Sequence, residues 1–310
     1  MNAPQLIRPW CEVSIKKCVA KLFNASADLL LASLQDNSVD LVVTSPPYCM
    51  GMEYEESTSA TDFFESHRRI LPEVVRVLKP GGSLCWQVGH HVENGVTVPL
   101  DALVYLATSE LPELFLRNRI VWTFGHGTHS SRRFSGRHEN ILWYTKGHEY
   151  SFNLDAVRVP QRYPGKRHYK GKRKGKLSGN PLGKNPSDVW DIPNVKSKHV
   201  EKTNHPCQFP VALPRRLIRA LSSPGAVILD PYLGSGTSAV AALLEKRSFI
   251  GCDVQTSYLS IAKRRLELLA TGELPFRDDI PPLEPVRSQS VAKLPARWRT
   301  LRKASHAGTI

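Results

Sequence analysis

The sequence has no apolar run that approaches the ~20 residues of a membrane-spanning helix. No charged-then-apolar signal sequence opens it, and no internal repeat is found. Its six cysteines form no Cys-x-x-Cys pair, and no set of cysteines and histidines has zinc-site spacing. These absences predict a cytoplasmic protein without a membrane segment, in which the cysteines stay reduced.

Acidic residues are scarce where basic residues are dense. The chain of 310 residues has 42 Lys and Arg against 28 Asp and Glu, a net charge of +14. From Gln161 to Lys184 no acid interrupts the basic residues, and glycines and tyrosines are interleaved, which predicts an extended loop. Such a loop can neutralise phosphates of a polyanion, with a disordered solubilising insert as the alternative. The basic residues expected to make these contacts are Arg162, Lys166, Arg167, Lys170, Lys172, Arg173, Lys174 and Lys176.

A strand that stops at two prolines marks the first candidate site. The apolar residues 39–43 predict a buried parallel strand, and Pro46 and Pro47 cannot continue its ladder. In open α/β sheets the chemistry lies just past the carboxyl ends of the strands. Ser45 offers a hydroxyl and a carbonyl as acceptors, and Tyr48 offers a flat face for stacking. These residues suit a planar base with an exocyclic amine; the alternative is a proline-rich turn with a buried tyrosine.

A strand, a glycine loop and a helix follow far downstream. Residues 226–230 predict the strand, 231–237 the loop, and 238–247 the helix. Gly234 and Gly236 would let a ligand approach the backbone closely, and the amino end of the helix favours a negative group.

The two motifs together resemble those of the DNA amino-methyltransferases. These enzymes transfer a methyl group from S-adenosylmethionine to an exocyclic nitrogen of cytosine or adenine. Ser45-Pro46-Pro47-Tyr48 is similar to the cytosine-N4 branch, whereas the adenine-N6 branch more often has aspartate at the first position. The catalytic motif precedes the cofactor motif, as in the permuted β group of the family. The resemblance covers roughly residues 18–270.

The resemblance implies a Rossmann-like, doubly wound α/β methyltransferase fold. It would be circularly permuted, with a mostly parallel sheet and an antiparallel end strand. Residues 1–150 would form the catalytic half, 151–200 a basic insert for target recognition, 201–272 the cofactor half, and 273–310 a basic, flexible tail. The expected partner is double-stranded DNA, with a restriction endonuclease that acts on the same site as a second candidate.

The resemblance also implies the site residues. Ser45, Pro46, Pro47 and Tyr48 would bind the target base. Asp230, Pro231, Gly234, Ser235, Gly236 and Thr237 would bind the cofactor, with Phe209 beside its methionine part. Asp253 ends a strand where it can accept hydrogen bonds from ribose hydroxyls. Asn24 stands where the family usually has an acidic residue near the adenine, and residues 125–134 would line the base pocket beside Trp122 and Phe124.

A second methyltransferase motif has to be weighed against this one. Pro206-Cys207-Gln208 resembles the nucleophile motif of the cytosine-C5 methyltransferases, and Glu139-Asn140-Ile141 resembles its partner motif. Those enzymes attack the ring with a thiolate. Their motifs occur in the opposite order, so Cys207 is interpreted as incidental. Two alternatives stay open: an adenine-N6 enzyme, and an inactive DNA-binding protein, which the Asn24-Ala25-Ser26 departure favours.

Other segments have simpler interpretations. The polar residues 50–60 predict a surface loop, and residues 79–82 predict a turn before the next strand. His67 lies among apolar residues at helical spacing, which favours a core histidine, and Pro72 predicts a kink or break in that helix. His90 and His91 have no obvious third ligand, so no metal is expected.

Overall fold

The computed structural model describes residues 7–48, 59–93, 95–125, 127 and 129–277. These residues divide into two compact units, one with residues 7–152 and 188–277 and the other with residues 153–187. Most of the predicted loop at 50–60 and most of the predicted tail at 273–310 lie outside the described residues.

The larger unit is built from alternating strands and helices. In chain order the strands are β1 (Cys11–Ile15), β2 (Cys18–Asn24), β3 (Val39–Thr44), β4 (Leu78–Val88), β5 (His90–Glu93), β6 (Val96–Pro99), β7 (Leu114–Thr123), β8 (His138–Lys146), β9 (Val189–Asp191), β10 (Val227–Asp230) and β11 (Ser248–Asp253). The α-helices are α1 (Ala27–Ser33), α2 (Ala60–Val77), α3 (Leu100–Ser109), α4 (Ala212–Leu221), α5 (Thr237–Leu244) and α6 (Thr256–Thr271).

Nine of the described strands form one sheet, in the order β1-β2-β11-β10-β3-β4-β8-β7-β9. The central strands β2, β11, β10, β3 and β4 are parallel, whereas β1 and β8 run antiparallel to their neighbours. The helices pack in two groups, α1 with α2 and α3, and α4 with α5 and α6. The predicted fold class, a doubly wound and mostly parallel sheet, is confirmed.

Two parallel strands set the position of the site. β3, which leads into Ser45, pairs directly with β10, which leads into the glycine loop, and Ile228 lies opposite Leu41. Because carboxyl ends of parallel strands meet at one edge of a sheet, the two predicted motifs converge although they lie far apart in the chain.

Helix α2 contains two residues, His67 and Pro72, for which the sequence made structural predictions. Ser59 caps it by accepting a hydrogen bond from the Asp62 backbone N–H at 3.1 Å. Pro72 lies inside the helix, which continues through it to Val77, so the predicted break does not occur. His67 is buried, its Nδ1 is 2.7 Å from the Phe63 carbonyl oxygen, and burial lowers its pKa to about 4. The core histidine is therefore confirmed.

Two strand features differ from the sequence prediction. The turn predicted at residues 79–82 is part of β4, because Leu78 already pairs with Val39 and the register then shifts before Ser83 pairs with Leu41. Three more residues lie on β4 than on β3 between these two pairs, so the glycines belong to an irregular stretch of the strand and not to a separate turn. β1, which no pattern indicated, pairs with β2 as an antiparallel hairpin.

The smaller unit is an irregular basic hairpin. Isolated bridges join Val159 to Lys184 and Arg167 to Leu177, and the Lys174 N–H closes a turn on the Gly171 carbonyl oxygen at 2.9 Å. Its one short helical turn is Asp155–Val157, as far as the structure describes this unit. The extended conformation agrees with the glycine-rich, basic composition. In the described part of the chain no helix combines the length and apolar character needed to cross a bilayer.

A buried ion pair between Arg265 and Glu201 supports the glycine loop. Arg265 on α6 donates to the Ser235 carbonyl oxygen and to the Thr237 hydroxyl, both at 2.8 Å. Its second nitrogen lies 4.0 Å from Glu201, which also accepts from the Val211 backbone N–H at 2.9 Å. Both side chains are at most 5% exposed. The pair thus ties the glycine loop to the segment that leads into α4.

Replacing Arg265 by alanine should therefore destabilise the protein. The change leaves the Glu201 carboxylate buried without a countercharge, which typically costs about 3–5 kcal/mol. Urea unfolding would measure this loss. Arg264→Ala is the matched control, because Arg264 is 69% exposed and pairs with Glu267 only at 3.8 Å. Equal stability of the two variants would contradict a supporting role for the buried pair.

Candidate active site

A cavity of about 790 Å³ lies in the larger unit, where β3, β10 and β11 end. Its size is within the usual range for small-molecule sites, roughly 300–1,000 Å³. The predicted site residues in its wall are Ser45, Pro46, Pro47 and Tyr48 after β3, Phe209 before α4, Pro231, Gly234, Ser235 and Thr237 after β10, and Asp253 at the end of β11. The structure thus brings most of the predicted site residues together around one space.

Asp230 lies beneath this cavity and does not line it. Its side chain is fully buried, and burial raises its pKa to about 6. One carboxylate oxygen accepts from the Thr44 hydroxyl at 2.5 Å and from the Tyr232 backbone N–H at 3.0 Å. The Ser238 hydroxyl donates to the other oxygen. The expected contact of Asp230 with the cofactor stays a prediction; in the structure its carboxylate connects the end of β3 to the glycine loop and to α5.

The two glycines of the loop have different surroundings. Gly234 and Gly236 both have positive φ angles, +50° and +74°. A Cβ atom on Gly234 would lie 2.8 Å from Nε2 of His205, and one on Gly236 would lie 2.6 Å from Cβ of Ala262. Gly236 therefore packs against α6 and is not in the cavity wall, and its expected cofactor contact stays a prediction. Gly234 keeps its place in the wall.

The carboxylate of Asp253 is held in a fixed orientation. One oxygen accepts from the Gly234 N–H at 2.9 Å and the other from the Gln255 N–H at 2.8 Å. Burial raises its pKa, although these N–H groups act in the opposite direction. Asn24 donates to the carbonyl oxygens of Asp253 and Val254 at 3.2 and 3.1 Å and is not in the cavity wall. Asn24, expected near the adenine, thus supports the Asp253 turn.

Ser45 belongs to a hydrogen-bonded polar cluster. Its hydroxyl lies 3.3 Å from the Tyr48 hydroxyl, which accepts from Gln87 Nε2 at 2.8 Å. The Tyr48 hydroxyl donates to Glu139 Oε2 at 3.5 Å, and Gln87 donates to the same oxygen. All four residues line the cavity. Tyr48 is therefore held by its hydroxyl as well as by the rigid prolines before it.

Glu139 and Gln87 are site residues that the sequence reasoning missed. Glu139 was considered only as part of a competing motif. Burial raises its pKa to about 7, in spite of the hydrogen bonds from Tyr48 and Gln87. A polar residue in the apolar strand next to the catalytic strand, as Gln87 is in β4, is the signal that could have revealed the cluster.

The remaining wall is apolar and aromatic. Trp122 and Phe124 line the cavity with ring centroids 5.1 Å apart, and the Trp122 indole N–H donates to the Ile192 carbonyl oxygen at 2.7 Å. Trp122 is thus both packed and part of the wall. Cys207 is exposed and also lines the cavity. Within the described ranges, no three His, Cys, Asp or Glu side chains are grouped as metal ligands.

A doubly wound sheet with a cavity beside a glycine loop is typical of enzymes that bind a nucleotide-containing cofactor. A family profile for DNA methylases of the N6/N4 type matches residues 39–264. The chain is 42% identical over 273 residues to the Type II methyltransferase M.BglII of Bacillus subtilis, with 88% of this chain and 74% of that protein covered. The chain therefore belongs to the N6/N4 DNA methylase family.

Solved structures agree with this assignment. The PvuII DNA methyltransferase (cytosine-N4-specific) superposes with a TM-score of 0.64 at 19% identity, covering 84% of this chain and 96% of that one. The Thermus thermophilus protein TTHA0409, solved in complex with S-adenosyl-L-methionine, superposes with a TM-score of 0.58 at 27% identity, covering 82% and 94%. At 19% identity, the similarity to the PvuII enzyme supports the fold alone.

Glu139 should make folding stability depend on pH. Its pKa is raised from an ordinary value of 4.5 to about 7, so ionisation is disfavoured in the folded protein. The wild type should therefore lose stability relative to Glu139→Gln as pH rises from about 4.5 to about 7, by up to about 3 kcal/mol.

Urea unfolding of both proteins at pH 5 and pH 8 measures this difference. Glu65→Gln serves as the control, because that side chain is 59% exposed and its replacement should have the same small effect at both pH values. A pH-independent difference between wild type and Glu139→Gln would show that the carboxyl group is ionised throughout.

Proposed function

We propose that this DNA methyltransferase methylates the exocyclic N4 of cytosine at a specific DNA sequence, with the base turned out of the duplex into the cavity. The observation that carries the proposal is that Ser45 and the glycine loop line one cavity. As in Type II systems, a restriction endonuclease acting on the same sequence would be the partner in the cell. S-adenosylmethionine is the methyl donor.

The cavity residues fit S-adenosylmethionine on one side. The Asp253 carboxylate is oriented by two backbone N–H groups and can accept from ribose hydroxyls. Phe209 gives an apolar wall, and Gly234 permits close approach of the backbone. When bound, the cofactor supplies an electrophilic methyl group.

The residues after β3 act on the amine. An exocyclic nitrogen is a weak nucleophile because its lone pair is delocalised into the ring. The Ser45 hydroxyl and the carbonyl of Ser45 or Pro46 can accept hydrogen bonds from its two N–H groups and favour a tetrahedral nitrogen. Turning the base out costs about a few kcal/mol, which stacking on Tyr48 and Phe124 would partly offset. The rest of the catalysis is positioning.

Glu139 can accept the proton that the nitrogen must lose when it is methylated. Hydrogen bonds lead from Ser45 through the Tyr48 hydroxyl to Glu139, over 3.3 and 3.5 Å. A carboxyl group with a pKa of about 7 accepts a proton readily near neutral pH. This would break the N–H bond and form an O–H bond on Glu139.

The product of the reaction tests the proposal. DNA incubated with the protein and labelled methyl donor, then digested to nucleosides, should contain N4-methylcytosine. N6-methyladenine alone would overturn the base assignment and leave the mechanism in place, since a hydroxyl can accept from either amine. C5-methylcytosine, with loss of activity in Cys207→Ser, would overturn both. Tight DNA binding without S-adenosylmethionine binding would indicate an inactive DNA-binding protein.

Ser45→Ala should slow methyl transfer by about 10²-fold, as expected when an oriented polar group at the reacting centre is removed. Cofactor affinity should stay near normal, because the hydroxyl acts on the target amine. Single-turnover kinetics and calorimetry measure the two quantities. Ser197→Ala is the control, since Ser197 lies in the cavity wall outside the motif. If Ser45→Ala lowered cofactor affinity as strongly as it slowed methyl transfer, Ser45 would contact the cofactor and not the target amine.

Asp253→Ala should weaken S-adenosylmethionine binding by roughly 1–3 kcal/mol through lost hydrogen bonds to the ribose. Isothermal titration calorimetry measures the change. Asp188→Ala controls for loss of a carboxylate, because Asp188 is exposed and outside the cavity wall. Unchanged affinity in a folded Asp253→Ala protein would remove Asp253 from the site.

The basic hairpin is proposed to contact DNA phosphates. Replacing Lys170, Lys172, Arg173 and Lys174 by serine should weaken DNA binding and flatten its dependence on the logarithm of salt concentration. Cofactor binding should not change. Fluorescence anisotropy across a salt series measures the slope, and an unchanged slope would assign the phosphate contacts to other residues.

A further inference from the structure

An exposed aromatic side chain sits in a loop without acidic residues. Among the large hydrophobic side chains that the structure describes, Phe134 is the most exposed, at 102%. It belongs to the β7–β8 loop, residues 124–137. Arg132, Arg133 and Arg137 surround it in sequence, and no Asp or Glu occurs from Gly125 to His138. A single exposed phenyl ring is ordinary, but one placed among three arginines matches an anionic partner with an apolar interior.

The ends of this loop lie at the wall of the cavity. Trp122 pairs with Glu139 across β7 and β8, and both line the cavity, as does Phe124. The Phe124 N–H donates to the Arg137 carbonyl oxygen at 3.0 Å and closes the base of the loop. The loop therefore starts and ends beside the space assigned to the turned-out base.

Hydrogen bonds within the loop keep its tip folded back on itself. The Ser130 N–H donates to the Ser135 hydroxyl at 3.2 Å, and the Arg132 N–H donates to the Ser130 hydroxyl at 3.4 Å. Arg132, Arg133 and Phe134 are all exposed in this arrangement. Two cations and one phenyl ring are thus exposed on three consecutive residues.

A base that leaves a duplex creates a gap between its stacked neighbours. Apolar side chains inserted at base steps compensate for lost stacking, and arginines nearby neutralise phosphates. Phe134 gains nothing from the folded protein alone, because its ring remains in water, whereas it would be buried between bases.

We propose that Phe134 inserts into the DNA stack at the target site and supports the turned-out base, with Arg132 and Arg133 on neighbouring phosphates. The inference rests on the proposed DNA methylation and adds a residue outside the cavity. A base that is already unpaired needs less support, so the contribution of Phe134 should depend on pairing at the target.

The test compares two duplexes that contain the recognition sequence, identified by methylation-aware sequencing of DNA from cells that express the protein. In one duplex the target base is paired, and in the other the opposite nucleotide is abasic. Phe134→Ala should slow single-turnover methylation of the paired duplex about tenfold or more and of the abasic duplex less than about twofold. Phe134→Leu should restore most of the rate. Leu106→Ala, which removes an exposed apolar side chain outside the cavity wall, should change neither rate.

A second readout does not need methyl transfer. A 2-aminopurine placed beside the target reports unstacking when wild-type protein binds, and Phe134→Ala should reduce this fluorescence increase on the paired duplex. Equal slowing of methylation on both duplexes, or no slowing on either, would overturn the inference. A full fluorescence increase with Phe134→Ala would overturn it as well. A loop that binds a protein partner would give no slowing on either duplex. Failure of the wild type to methylate either duplex would overturn the proposed function itself.

Discussion

The hydrogen bond from the Thr44 hydroxyl to the buried carboxylate of Asp230 joins segments 186 residues apart in the chain. The same carboxylate accepts from the Tyr232 N–H and from Ser238, so it holds the end of β3, the start of the glycine loop and the first turn of α5. Direct methyl transfer requires an acceptor nitrogen and a donor carbon in line, and its efficiency depends on fixed positions. One buried group therefore links the segment after β3, proposed to hold the target base, to the glycine loop, proposed to hold the cofactor. The Arg265–Glu201 pair supports the glycine loop from the other side.

The buried Asp230 and the half-buried Glu139 have raised pKa values for the same physical reason but differ in their surroundings. Desolvation raises the pKa of Asp230 to about 6 and that of Glu139 to about 7. The donors around Asp230 are protein groups at the end of β3, in the glycine loop and in α5, so its carboxylate links these three segments. Glu139 lies in the cavity wall, accepts hydrogen bonds from Tyr48 and Gln87, and is linked to Ser45 through the Tyr48 hydroxyl. A group that changes protonation near neutral pH at this position suits proton transfer from the base.

Sequence patterns predicted the elements whose signals are local. The apolar run before Ser45, the prolines after it, and the strand before the glycine loop all define single segments, and β3 and β10 occur where expected. The direction of a side chain could not be predicted in the same way, because it depends on pairing between segments that are distant in the sequence. Asp230 and Gly236 belong to the motif, yet one is buried below the cavity and the other packs on Ala262. Glu139 reaches the site only through the register of β8 on β4 and β7, which no local pattern contains.

Amide hydrogen exchange, followed by mass spectrometry with and without S-adenosylmethionine, is the most direct test of whether this methyl donor occupies the cavity beside residues 45–48. The cofactor alone should slow exchange in residues 205–209, 231–237 and 252–255, which line the cavity or form the loop beside it. DNA added to this complex should slow exchange in the β7–β8 loop as well. Unchanged exchange in residues 231–237 when cofactor is bound, with slowing elsewhere in the chain, would contradict the account.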